Sequence, residues 1–178
     1  MVELLIVVAI TLILMIVVFN FYNLSKLVYS SGLAQQSLQD GVNIVLSKII
    51  EGKTEPSGVY RLAEGTSYCI GTGVACSGPS SIAELHFWGI DGTERWYKLD
   101  NTSTELIYHH PTVAYPSGSD DVIYTTPKGS ILTLRFWVPN VANYPAAVVG
   151  MDVALTQSVF GRTVTGDSTT IVNLRNHP

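Results

Sequence analysis

The chain has 178 residues, a net charge of −4 and ten scattered Lys and Arg residues. That length suits one soluble domain plus one further element and is too short for two full domains; with no basic stripe and no run of like charge, no nucleic-acid partner is expected. Charged residues make up 13% of the chain, against about a quarter in an ordinary soluble domain, and the deficit is concentrated at the start.

The first 22 residues read MVELLIVVAITLILMIVVFNFY, and Glu3 is their one charge. At 1.5 Å per residue a helix of this length spans roughly 30 Å, the thickness of a bilayer hydrocarbon core. It holds no Gly or Pro and is apolar all round, as a membrane or fully buried helix is. A cleaved secretory signal fits poorly. No basic residue precedes the apolar run, the first being Lys26, and no small-residue cleavage site follows Phe19. A plain single-pass anchor explains the length but leaves Glu3 without a role. At a helix N-terminus the macrodipole favours a carboxylate by roughly 0.3–1 kcal/mol, so Glu3 either sits at the membrane surface or pairs with a cation from a neighbouring chain.

Residues 23–52 continue the helix with an amphipathic pattern. Leu24, Leu27, Val28, Leu38, Val42, Val45, Leu46 and Ile49 recur at spacings of three and four. Gly32 and Gly41 weaken the helix intrinsically, Glu51-Gly52 supplies a C-terminal cap, and Pro56 marks the stop. One helix over about residues 1–50 would be close to 75 Å long.

From residue 57 the period becomes two. Leu85 and Phe87, with Ala83, alternate against Ile82, Glu84, His86 and Trp88; Asp91-Gly92 then predicts a hairpin into Arg95, Trp96, Tyr97 and Leu99. Further strands are expected near 104–109, over Leu132, Leu134, Phe136 and Val138, over Val149, Met151, Val153 and Leu155, and over Thr170, Val172 and Leu174. The segments YPSGSDD and RTVTGDS read as loops. The expected fold class is α+β: a long N-terminal helix, apolar in its first half (1–22) and amphipathic over 23–52, packed on an antiparallel β-sheet head domain, 53–178.

Cys69 and Cys76, seven residues apart in a Gly-rich stretch, are a disulfide candidate, which would imply an oxidising compartment; two free thiols is the alternative. No catalytic constellation, cofactor motif or metal-ligand spacing is expected, and the chain is read as no enzyme. His109 and His110, adjacent on a strand, point to opposite faces and cannot readily share an ion. Asp120-Asp121 reads as a solvated acidic turn rather than a calcium loop. Trp88, Trp96 and Trp137 read as packing residues. Asn101-Thr102-Ser103 is a weak glycosylation match, and Asn23-Leu24-Ser25 lies beside the membrane segment.

Val2-Glu3-Leu4-Leu5 followed by an unbroken apolar run resembles the N-terminal methylation segment of type IV pilins and of the pseudopilins of type II secretion. In that family a basic leader ending in Gly is removed by a prepilin peptidase, and Met1 stands where the third mature residue usually lies. Either residues precede Met1, or the methylated N-terminal amine is on Met1 itself. The proline common near the end of the family's segment is absent, so no kink is expected. The resemblance covers about the first 50 residues. It implies a subunit of a type IV pilus-like filament, its apolar helix in the bacterial inner membrane before assembly and afterwards inside an extracellular or periplasmic fibre. Partners would be copies of itself, related pilin subunits, the peptidase and an assembly motor, with Glu3 pairing with a neighbour's N-terminal amine. Major and minor subunit both remain open. The alternative is a monomeric, membrane-anchored extracytoplasmic adhesin or binding domain.

Overall fold

The structure is a computed structural model, and it describes residues 2–55, 58–70, 84–110, 119–139 and 148–175. One helix, α1, runs unbroken from Val2 to Glu51. Nothing in its sequence interrupts it until Gly52, which takes φ +73° and turns the chain out of the helix. Leu38, Gly41, Val42, Val45, Leu46 and Ile49 are buried, nearly two per turn at spacings of three and four, and define the face that carries the head. Leu24 and Val28, expected on the same stripe, remain exposed, because the buried face of α1 begins only at Leu38.

Among the described residues ten strands follow: β1 (Lys53–Glu55), β2 (Gly58–Tyr60), β3 (Ser67–Ile70), β4 (Glu84–Trp88), β5 (Glu94–Leu99), β6 (Glu105–His110), β7 (Ser119–Thr125), β8 (Ser130–Trp137), β9 (Val148–Val159) and β10 (Arg162–Asn173). All pairings are antiparallel. β1 and β2 form a short hairpin, β3 to β7 form a five-stranded meander in chain order, and β8 to β10 form a second meander of three strands. The expected α+β architecture of one long helix on antiparallel sheet is therefore the observed one.

A single core joins α1 to both sheets. From the three-stranded sheet come Leu132, Leu134 and Phe136 of β8, which alternate with exposed Ile131, Thr133 and Arg135, and Val149, Met151, Val153 and Leu155 of β9. Val138, expected on that strand, lies beyond its end and is exposed. From the five-stranded sheet come Leu85, Phe87, Tyr97, Leu106 and Tyr108, all with no exposed area. Tyr97 reaches α1, its hydroxyl donating to the Ile49 carbonyl at 3.4 Å.

Of the two segments read as loops, RTVTGDS is strand throughout, and YPSGSDD is strand over its last three residues, 115–118 lying outside the described residues. RTVTGDS lies inside β10, where Gly166 pairs with Leu155. Gly166 is not a turn residue: a Cβ there would stand 2.8 Å from the Gln39 nitrogen and 2.9 Å from the Leu38 carbonyl carbon, so its bare backbone lets β10 lie against α1. Likewise Ser119-Asp120-Asp121 opens β7 instead of forming an acidic turn. The Asp91-Gly92 hairpin forms as expected, with Gly92 at φ +72° and donating to the Gly89 carbonyl.

Candidate functional site

The first half of α1 is covered by nothing among the described residues. Between Val2 and Tyr22 every Val, Leu, Ile, Met, Phe and Tyr side chain is exposed, from 48% at Val8 to 71% at Met15. The helix is long and apolar enough to cross a membrane. Its polar interior residue Thr11 donates its hydroxyl to the Val7 carbonyl at 2.8 Å, so the span carries that hydroxyl without needing water. Glu3 lies in the first turn, exposed, beside the unpaired N–H groups of the helix start. Met1 lies outside the described residues.

The seventeen large apolar side chains in this stretch decide its environment. Removing such a group from water is worth about 1.5–3 kcal/mol, so together they stand for a few tens of kcal/mol, more than the roughly 5–15 kcal/mol net stability of a typical domain. The segment must be covered by lipid or by protein.

β9 and β10 form the longest hairpin of the head and lie along the helix. Its tip, Phe160-Gly161, has φ +50° and +75° and borders a small cavity with Asn23, Lys26 and Leu27 of α1. The head thus begins within a turn or so of the end of the apolar span.

A polar row missed in the sequence crosses the outer face of the five-stranded sheet. Cys69, His86, Trp96, His109 and Asp120 occupy directly opposed positions on β3 to β7. The Trp96 ring lies 3.4 Å from the His109 ring, nearly parallel, and 5.3 Å from that of His86. His86, Trp96 and His109 are all buried. His86 is held between carboxylates, Nδ1 at 2.7 Å from Glu94 and Nε2 at 2.9 Å from Glu84. An ionised carboxylate only accepts, so with both carboxylates ionised the two bonds are made together only by the protonated ring, which favours the imidazolium. Burial lowers its pKa, but the hydrogen bonds and charges of Glu84 and Glu94 outweigh that and hold it above the ordinary histidine value. His109 Nδ1 lies 2.5 Å from Asp120, which also accepts from Lys98 at 3.1 Å. Burial works to raise the Asp120 pKa; the bonds to His109 and Lys98 bring it below the usual range.

The row ties the strands together, and it changes the reading of Asp120 as a solvated acid. Asp120 is engaged with His109 across the β6–β7 pair, while Asp121 pairs with Tyr108 on the opposite face, so the two carboxylates do not converge on one ion. Among the described residues no group of three or more His, Cys, Asp or Glu side chains could hold a metal. Cys69 is disulfide-bonded; Cys76, its candidate partner, lies outside the described residues. The pattern that could have flagged the row is the odd polar residue on an apolar strand, His86 in ELHFW and His109 in ELIYHH. Register, which sequence does not give, was needed to align them.

On the inner face Arg95, also buried, is clamped by Asp91 through two bonds of 3.0 and 2.8 Å and donates to the Thr93 hydroxyl at 2.6 Å. The Arg95 guanidinium holds the Asp91 carboxyl well below the usual range. This pair closes the β4–β5 hairpin.

No family model, curated protein or solved structure matches the chain.

Proposed function

We propose that this chain is a structural subunit, a pilin or pseudopilin, of a type IV pilus-like filament assembled from the bacterial inner membrane through α1. The observation that carries the reading is one continuous fifty-residue helix whose first half is apolar, exposed along its length and marked by a single acid in its first turn. Before assembly, lipid covers that half. In the fibre, the same half lies among the helices of identical or related subunits. Lipid and helix bundle are about equally apolar, so transfer between them exposes little surface to water. Tyr29, Leu33 and Ile44 extend the exposed apolar surface along the part of α1 that carries the head, where neighbouring subunits would pack.

Glu3 supplies register in this reading. At the membrane surface it is hydrated; in the bundle it loses that water and needs a cation, met by a neighbour's N-terminal amine. Leaving such a group buried without its partner costs about 3–5 kcal/mol. The Cys69 disulfide supports a head outside the cytoplasm. Extraction and leader removal require a motor and a peptidase.

Glu3→Ala is the test. The variant is expected to insert into membranes at the wild-type level while the yield of sheared surface fibres falls at least tenfold. Wild-type fibre yield would remove the role of Glu3. Electron microscopy of sheared fibres with mass spectrometry of their protein separates this reading from a monomeric anchored adhesin, which would leave no peptides of this chain in fibres.

A further inference from the structure

The tip of the β9–β10 hairpin has properties that the fold alone does not require. Phe160 occupies the left-handed region at φ +50°, where a bulky side chain is uncommon and Asn, Asp or Gly are usual. Yet the residue is left mostly uncovered: it is 66% exposed. A strained position filled by a large exposed aromatic calls for a partner outside the chain.

Position names the partner. The tip lies beside Asn23, Lys26 and Leu27. These residues begin just after Tyr22, the end of the apolar span, so they stand only about 2–8 Å further along the helix axis. With headgroups a bilayer is about 40–45 Å thick around a core of about 30 Å, so this level falls within the headgroup layer. The register agrees along the rest of the hairpin: Gly166 meets α1 at Leu38 and Gln39, and from there to the tip the strand and the helix cover similar distances toward the membrane. Charge and residue type agree as well. Lys26 and Arg162 flank the tip and are exposed, suited to anionic headgroups, and Tyr22 and Tyr29 expose aromatic rings about 6 Å below and about 5 Å above Lys26 along the helix axis.

We propose that the β9–β10 hairpin tip, Phe160 flanked by Lys26 and Arg162, is a second membrane contact that seats its aromatic ring in the headgroup layer of an anionic bilayer and fixes the rotation of the head about α1. This rests on the membrane-inserted stage of the function proposed above. The helix alone would leave the head free to swivel; a second contact off the helix axis removes that freedom. The bilayer interface favours an amphipathic aromatic flanked by cations, as it does for peripheral helices.

The test is a depth measurement by nitroxide labelling, with one protein per nanodisc of phosphatidylethanolamine and phosphatidylglycerol at 3:1. Three variants, each with one cysteine added to the disulfide-bonded chain, are compared without reduction: Phe160→Cys at the tip, Leu12→Cys in the apolar span, and Ile131→Cys on the exposed side of β8. The label at 160 is expected to favour collision with oxygen over a water-soluble nickel chelate. The label at 131 should show the reverse, and that at 12 the strongest oxygen preference. A water-like label at 160 with a lipid-like label at 12 overturns the tip contact and leaves the anchor standing. A water-like label at 12 overturns the anchor and the tip contact with it. Shielding of 160 from both reagents means a protein contact and also overturns the proposal. As a second reading, Phe160→Asn suits the turn and keeps the fold. In that background the label at 131 should tumble at least twofold faster in nanodiscs; unchanged tumbling overturns the seating role of the ring.

Discussion

The two halves of α1 have the same backbone and opposite dependencies. The second half, from about Leu38 to Ile49, is fixed by the head: its buried face meets β9, β10 and the Tyr97 hydroxyl. The first half, Val2 to Tyr22, is more apolar and meets nothing among the described residues. Hydrophobicity therefore does not by itself mark the core of this protein. Apolar residues with a period pack inside the chain, and apolar residues without one must be covered from outside.

Substitutions in the two halves should separate cleanly. Ile49→Ala is expected to destabilise the head by about 2–5 kcal/mol, measured by thermal melting in detergent micelles, with no loss of membrane insertion. Leu12→Arg should do the opposite, costing about 2.5–3.5 kcal/mol at the centre of the span and lowering the membrane-bound fraction while the head melts as before. If either substitution moves both readouts equally, the division of α1 into two halves fails.

The junction between helix and head is sharpened by Gly166→Val. Its Cβ would collide with the backbone of Leu38 and Gln39, so a loss of about 1–3 kcal/mol is expected in the same melt. A neutral result would mean that β10 does not lie so close to α1.

The polar row gives a smaller, pH-dependent effect. His86 has a raised pKa in the fold, so its contribution is complete below its unfolded value of about 6.5 and fades as pH rises through the folded one. Asp91, Asp100 and Asp120 are held low: Asp91 chiefly by Arg95 and Asp100 chiefly by the Thr102 hydroxyl, while Asp120 is brought down against burial by His109 and Lys98. Their contributions are complete above about pH 4 and fade as pH falls through the folded values. Stability should therefore peak between about pH 4 and 6.5. His86→Gln should flatten the alkaline limb and cost about 1–3 kcal/mol near pH 6, where it leaves Glu84 and Glu94 without the imidazolium. An unchanged alkaline limb would mean that His86 is not the group responsible. The smallest effect expected in the melt is that of Phe160→Asn, a gain of up to about 1 kcal/mol from relief of the left-handed turn.

Much of this layout was legible in the sequence. The unbroken apolar run, the stripe from Leu38 to Ile49, the Gly52 stop and the alternation in β8 and β9 report directly on burial, and burial set the fold class. Legibility failed where a residue type had a use other than its usual one. RTVTGDS read as a loop, but its Gly166 serves a close approach between helix and strand. Asp120 read as solvated acid, but its charge is engaged by His109 and Lys98 from neighbouring strands. The ring stack of His86, Trp96 and His109 depends on the register of three strands, and the placing of Phe160 beside Lys26 depends on how a hairpin lies along a helix; neither relation is local in sequence.

The most direct test of the account is sedimentation of the purified full chain in detergent-free buffer, with intact mass confirming the N-terminal helix. The account predicts only lipid-bound or self-assembled species, because the seventeen exposed apolar side chains of Val2 to Tyr22 require cover. A stable, monodisperse 19.3 kDa monomer with that helix intact would contradict it.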